Sequence, residues 1–128
     1  GERQLTLLAR ALAQAAPNVV LDEPCASLDP CHQVEVLSAL RALSREGRTV
    51  LMSTHLPEHA LALDADALLI HAHGLAGPAP SARLLRSEVL SSLYGTPIEA
   101  ATLADGPAAG RQVFVPLELH GASATTTA

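Results

Sequence analysis

The sequence predicts an α/β architecture, a parallel sheet core flanked by helices, and three observations carry that expectation. Short aliphatic runs alternate with helix-period segments through roughly the first 70 residues. The helix-period segments carry local start and stop signals, of which Asp29-Pro30 and Gly47 are the clearest. Hydrophobic residues make up 48% of the 128-residue chain and aromatic residues only 2%, so any core is built from Leu, Val and Ala.

In chain order, Glu2 to Ala16 reads as a helix. Leu5, Leu8, Ala9 and Leu12 recur at three- and four-residue spacing, against polar Glu2, Arg3, Gln4 and Arg10. Pro17-Asn18 breaks it. Val19-Val20-Leu21 is an uninterrupted apolar run of the kind that suits a strand buried on both faces. Asp29 as N-cap and Pro30 at the first helical position open a helix to about Glu46, with Val36, Leu37, Leu40 and Leu43 inward and Gly47 as its stop. Thr49 to Ser53 reads as a second buried strand, and Pro57 opens a short helix to about Leu63. Ala67 to His71 is a third strand, followed by a turn at His73-Gly74 and a loop at Pro78 to Pro80. Ser81 and Ser87 have the residue type of N-caps for two short helices, closed by Gly95-Thr96-Pro97. Arg111 to Leu119 reads as a late strand and the residues from 120 to 128 as a frayed tail.

Composition excludes several classes. The balance is 8 basic against 13 acidic residues, a formal net charge of −5, which argues against a nucleic-acid or anionic-membrane surface built on bulk charge. All the basic residues are arginine, so no chemistry of this chain runs through a lysine, a complete phosphate-binding P-loop included. Two cysteines, Cys25 and Cys31, are too few for a disulfide framework and suit a reducing, cytoplasmic compartment. No apolar run is long enough to cross a bilayer as a helix. The chain opens at Gly1 inside a helical pattern, which reads as part of a larger domain.

The chemistry concentrates at Val19-Val20-Leu21-Asp22-Glu23-Pro24, an apolar strand with two carboxylates at its C-terminal end. In parallel α/β sheets ligands bind at that end. One carboxylate there can hold the water shell of Mg²⁺, and its neighbour can orient or deprotonate an attacking water. Ala26-Ser27-Leu28-Asp29 follows directly, Gly1-Glu2-Arg3-Gln4 leads into the first helix, and Ser53-Thr54-His55 closes the second strand.

With these four segments in this order and spacing, the chain resembles the ATP-binding subunit of ABC transporters, over at least residues 1–75. Gly1-Glu2-Arg3-Gln4 is similar to the tail of the L-S-G-G-E-x-Q signature, Asp22-Glu23 to the Walker B pair, Ser27-Leu28-Asp29 to the D-loop and His55 to the switch histidine. The resemblance implies a P-loop NTPase-type domain, with residues 1–119 as its C-terminal part and the N-terminal half, phosphate loop included, outside this chain. It implies ATP and Mg²⁺ as cofactors. Asp22 would hold Mg²⁺ through water, Glu23 would be the general base, and His55 would sense the γ-phosphate. Gly1, Glu2 and Gln4 would belong to the loop that meets ATP across the dimer, where a helix N-terminus favours phosphate. Ser27 and Asp29 would touch the partner subunit.

His59 to Ala62, Asp64 to Asp66 and Leu90 to Glu99, with Leu93-Tyr94-Gly95-Thr96-Pro97, resemble the importer branch for iron-siderophores, haem and cobalamin. That likeness implies a second ATP-binding subunit, membrane permease subunits and an external substrate-binding protein as partners. It places the protein on the cytoplasmic face of the membrane. The chain departs from the family in lacking a recognisable P-loop, Gln loop and adenine-stacking aromatic, and in carrying Cys25 where Thr or Ser is common. Those departures imply that 1–128 alone neither binds nor hydrolyses ATP appreciably. They also leave two alternatives open: a non-catalytic remnant or interaction module of the same fold, and a soluble ABC-type ATPase without a permease.

Other constellations read as structural. His55-Leu56-Pro57-Glu58-His59 fits H-x-x-E-H, but Pro57 starts a helix after His55, so the two imidazoles need not converge on a zinc ion. His59 then reads as a solvent or interface residue. Cys25 and Cys31-His32 lack metal-site spacing, and His71-Ala72-His73 reads as a turn pair. Glu35, Arg41, Arg45 and Glu46 read as one solvated helix face.

Overall fold

A computed structural model describes residues 6, 9–10, 13–72 and 74–117. The helix read over residues 2–16 is described at Thr6, Ala9, Arg10 and Ala13, all helical, and at residues 14–16, which turn out of the helix before Pro17. Gly1, Glu2, Gln4, His73 and the tail from 118 onward lie outside the described residues. The chain divides into two compact units, Gly1–Leu63 and Asp64–Ala128.

In the first unit, β1 (Asn18–Leu21) and β2 (Thr49–Met52) pair in parallel, from Asn18 opposite Thr49 to Leu21 opposite Met52. Between them runs α1 (Pro30–Arg45), and α2 (Pro57–Leu63) follows β2. The right-sized apolar runs and the α1 crossover give the expected β-α-β order. Asp29 caps α1 by accepting the His32 backbone N–H at 3.0 Å, and Pro30 occupies the first turn, where a missing N–H costs nothing. Glu46 ends the helix and Gly47 follows in the left-handed region at φ +85°, a conformation that carries no side-chain penalty in glycine.

The core of this unit packs Val36, Leu40 and Leu43 of α1 against Val19, Cys25 and Leu28, with Leu21, Leu37, Val50, Met52 and Leu63 around them. Strand alternation sends Val19 and Val50 to this core and their neighbours to the opposite face. That opposite face carries Val20, 74% exposed, and Leu51, 64% exposed.

In the second unit, β3 (Asp66–His71) and β4 (Gly74–Pro80) form an antiparallel hairpin, followed by α3 (Ser81–Leu84) and α4 (Ser87–Tyr94). A second antiparallel pair, β5 (Ile98–Thr102) with β6 (Gln112–Pro116), completes it. Leu85, Leu90 and Ile98 are its buried apolar residues.

Three expectations are corrected here. Pro78 to Pro80 is not a loop but the end of β4. The register slips between Ala67 opposite Ala79 and Leu69 opposite Ala76, so an extra residue is absorbed on β4 where the prolines lie. Gly77, at φ +102°, makes that bulge possible: a Cβ there would stand 2.5 Å from the Ala67 carbonyl oxygen. Ser81 and Ser87 are first helical residues rather than side-chain caps. The Ser87 hydroxyl instead accepts the Ala100 N–H at 2.9 Å, and the Ser91 hydroxyl accepts the Ile98 N–H at 2.8 Å. These helix hydroxyls satisfy the edge of β5, a strand whose sequence shows no clear alternation.

Candidate functional site

The site lies where β1 and β2 end. The Ser53 N–H donates to the Leu21 carbonyl at 3.0 Å, carrying the parallel ladder one step beyond Met52. Asp22-Glu23 and Ser53-Thr54-His55 therefore leave adjacent strands side by side, at the C-terminal ends where such sheets bind ligands.

The Ser53 Oγ donates to Asp22 Oδ1 at 2.5 Å and accepts the Glu23 backbone N–H at 2.9 Å. His55 Nδ1 lies 3.0 Å from Glu23 Oε2. An ionised carboxylate only accepts, so Nδ1 carries the hydrogen in this pair. The His55 side chain is 66% exposed and that of Glu23 36% exposed, which leaves the pair open to a ligand. Asp22 is exposed as well.

The backbone through the site is bent away from the ordinary regions. Glu23 sits at φ +45° and Ser27 at φ +61°, conformations that cost a non-glycine residue of the order of 1 kcal/mol or more and that recur at functional sites. The turn between them is held by the Ala26 N–H to the Glu23 carbonyl at 3.0 Å and the Leu28 N–H to the Cys25 carbonyl at 3.3 Å. Cys25 and Leu28 are buried and anchor that turn to the core. Burial, aided by the Glu23 charge, pushes the Cys25 thiol above its ordinary value, so it is an anchoring group rather than a nucleophile.

The sequence-derived candidates sort accordingly. Asp22, Glu23 and His55 come together. Ser27 is exposed in the turn that follows. Asp29 is engaged locally: besides its cap bond, its Oδ2 lies 2.6 Å from His32 Nδ1. The His32 backbone N–H, then the His32 ring, hold its carboxyl below the usual range.

His59 is a correction. It is buried at 6% exposure, not a solvent or interface residue. Thr54 Oγ1 accepts the Leu56 N–H at 3.1 Å and is hydrogen-bonded at 2.9 Å to His59 Nδ1, with the donor set by the imidazole tautomer. Burial lowers the His59 pKa. His55 and His59 thus bond to different partners, Glu23 and Thr54, and among the described residues no group of three or more His, Cys, Asp or Glu could hold a metal ion. Ser53 and Thr54 are what residue-by-residue reading missed. The signal was present as two hydroxyls at the end of an apolar strand, next to the acids of its neighbour.

No protein-family profile matches the chain. Individual relatives do. The chain is 38% identical over 129 residues to the cobalamin import ATP-binding protein BtuD of Halobacterium salinarum, covering 99% of this chain and 31% of that protein. It is 36% identical over 118 residues to the hemin import ATP-binding protein HmuV of Rhodococcus jostii, covering 91% of this chain and 39% of that one. The thiamine import ATP-binding protein ThiQ of Brucella abortus is 42% identical over 86 residues, 66% of this chain and 36% of ThiQ. Among solved structures, an ABC transporter assigned to the metal-chelate type, in an inward-facing conformation, superposes with a TM-score of 0.81 at 32% identity. The match covers 91% of this chain and 46% of the transporter chain. The chain is thus similar, over nearly its whole length, to one part of ABC transporter ATP-binding proteins.

It spans about a third of the length of the curated relatives it matches. The parallel β1–β2 pair and its helices belong to the P-loop NTPase type of fold that the resemblance implied. Among the described residues, no helix is long and apolar enough to cross a membrane.

Proposed function

We propose that this chain supplies the water-activating and metal-facing edge of an ATP hydrolase that drives an importer. The observation that carries the reading is the convergence of Asp22, Glu23 and His55 at the ends of two adjacent parallel strands. In this reading Glu23 is the general base for a water attacking the γ-phosphate. The bond from His55 Nδ1 orients its carboxylate for that role. His55 contacts the γ-phosphate, and its exposure gives it room to do so.

The donor chemistry fits Mg²⁺. Asp22 and Glu23 are hard oxygen donors, and the described residues offer no closed metal cage. Mg²⁺ commonly keeps several waters and leans on one or two carboxylates plus substrate phosphates. Asp22 would hold it through water, using the oxygen that Ser53 does not engage, and bound Mg²⁺ would neutralise charge on the phosphate oxygens.

Residues 1–119 are the C-terminal part of the ATP-binding domain in this proposal. Gly1, Glu2, Gln4, Ser27 and Asp29 face the second ATP-binding subunit and its nucleotide. Two features support a larger domain. The chain has no lysine for a phosphate loop, so alone it would not turn over ATP. Parallel sheets are ordinarily covered on both faces, whereas Val20 and Leu51 stand exposed on one. The parent works on the cytoplasmic face of a membrane, against permease subunits and an external binding protein. Relatives named for cobalamin and hemin, with the metal-chelate type of the matched structure, support a metal chelate as cargo, haem or cobalamin ahead of an iron-siderophore.

The test is Glu23→Gln in the full-length subunit. Loss of hydrolysis by about 100-fold or more with ATP binding retained supports the base role, given the usual contribution of a positioned base. Unchanged turnover would remove Glu23 from that role.

A further inference from the structure

We propose that Ser53 is the positioning residue of the acidic pair, clamping Asp22 and Glu23 with one hydroxyl. The inference rests on the reading of those two acids given above. Successive residues of a strand point to opposite faces, so Asp22 and Glu23 would not serve one site if β1 simply continued. The chain instead turns at Glu23, which takes φ +45°. Left alone, that conformation is unfavourable for a residue with a side chain.

Ser53 meets both halves of the problem. Its Oγ accepts the Glu23 N–H at 2.9 Å, which pins the turned backbone, and donates to Asp22 Oδ1, which selects one setting of the carboxylate. Its own backbone N–H is bonded to the Leu21 carbonyl at 3.0 Å, so the hydroxyl is presented from a fixed point of the sheet. Only a side chain that donates and accepts through the same short atom can make both bonds; serine and threonine do, alanine does not. The two acids are thereby tied to β2, the strand that also delivers His55, and the three groups move as one unit.

The experiment uses the full-length subunit carrying these residues, with Ser53→Ala, Ser53→Thr and Glu23→Gln compared side by side. Amide exchange of Glu23, followed by NMR with selectively labelled glutamate, should accelerate about tenfold or more in Ser53→Ala and stay within about threefold in Ser53→Thr, because a lost hydrogen bond frees the amide to open. In Ser53→Ala, kcat should fall about 10- to 100-fold, with KM for ATP within about twofold and a higher Mg²⁺ concentration needed for half-maximal rate. Displaced acids affect the transition state more than nucleotide binding. Ser53→Thr should recover most of the rate.

Unchanged Glu23 exchange, or a rise in KM at constant kcat, overturns the clamp. If Ser53→Ala does not fold, Ser53→Cys, which keeps the size with a weak donor and acceptor, takes its place under the same criteria. A fully active Ser53→Ala beside an inactive Glu23→Gln sinks only the clamp, whereas a fully active Glu23→Gln sinks the underlying reading of the acids.

Discussion

The two units use their polar side chains in opposite ways. In residues 1–63 Asp22, Glu23 and His55 gather at the ends of two parallel strands, and residues there accept unfavourable backbone angles, Glu23 at φ +45° and Ser27 at φ +61°. In residues 64–128 the hydroxyls of Ser87 and Ser91 finish hydrogen-bond ladders, and buried Leu85 and Leu90 fill the interior. One unit brings charged groups together at its strand ends, and the other uses its helix hydroxyls to complete backbone hydrogen bonds. The difference teaches that the candidate site of this protein is a property of strand ends, not of overall charge.

The sharpest way to break that contrast is at the imidazole. His55→Ala in the full-length subunit should reduce ATP turnover about 10- to 1,000-fold, the range of a lost transition-state contact, while Glu88→Gln in the second unit changes it less than about twofold. Equal losses from both would erase the distinction. The next effect is on stability. Leu40→Ala and Leu90→Ala each empty a fully buried site, at 1% and 0% exposure, and should cost about 2–5 kcal/mol in denaturant unfolding. Residual ATP turnover should depend on Leu40, which backs the acidic turn through Cys25 and Leu28, more than on Leu90.

A smaller effect belongs to the helix hydroxyls. Ser91→Ala leaves the Ile98 N–H without its partner and should cost about 1–3 kcal/mol, the penalty of an unsatisfied amide. It should do so without moving the Glu23–His55 distance. The smallest concerns pH. Burial depresses the His59 pKa, so the folded state prefers the neutral ring. Its contribution is full above the ordinary histidine value and is lost as pH falls from there through the lower folded-state value. Thermal scans should show the midpoint falling from pH 7.5 toward pH 5 by more in the parent than in His59→Gln, and identical slopes would deny His59 that role.

How much of this was legible in the sequence follows the same divide. In the first unit, β1, α1, β2 and α2 were readable nearly to the residue, because Asp29-Pro30, Gly47 and Pro57 mark boundaries and the aliphatic runs are short and unmixed. The approach of Asp22, Glu23 and His55 was expected through the family resemblance, and the pairing of β1 with β2 gives it a geometric reason, since parallel neighbours deliver their ends to one edge. In the second unit, β4 was hidden by its prolines, which a hairpin edge tolerates once a bulge absorbs them. β5 was hidden because Glu99-Ala100-Ala101 has no apolar alternation and its edge is satisfied by serines on a helix. His59 was misjudged for a related reason: it is buried with the Thr54 hydroxyl as its partner, a pairing across the start of α2 that spacing does not reveal. Ser53 shows the same limit at the site itself.

The most direct test is a crystal structure of the full-length subunit with Mg²⁺ and a non-hydrolysable ATP analogue. It should place a Glu23 carboxylate oxygen about 2.6–3.2 Å from a water in line with the γ-phosphate, with the Asp22 carboxylate on a metal-bound water and the His55 ring against the γ-phosphate. A nucleotide bound with Asp22 and Glu23 turned away from it, or with His55 on the other side of the sheet, would contradict the account.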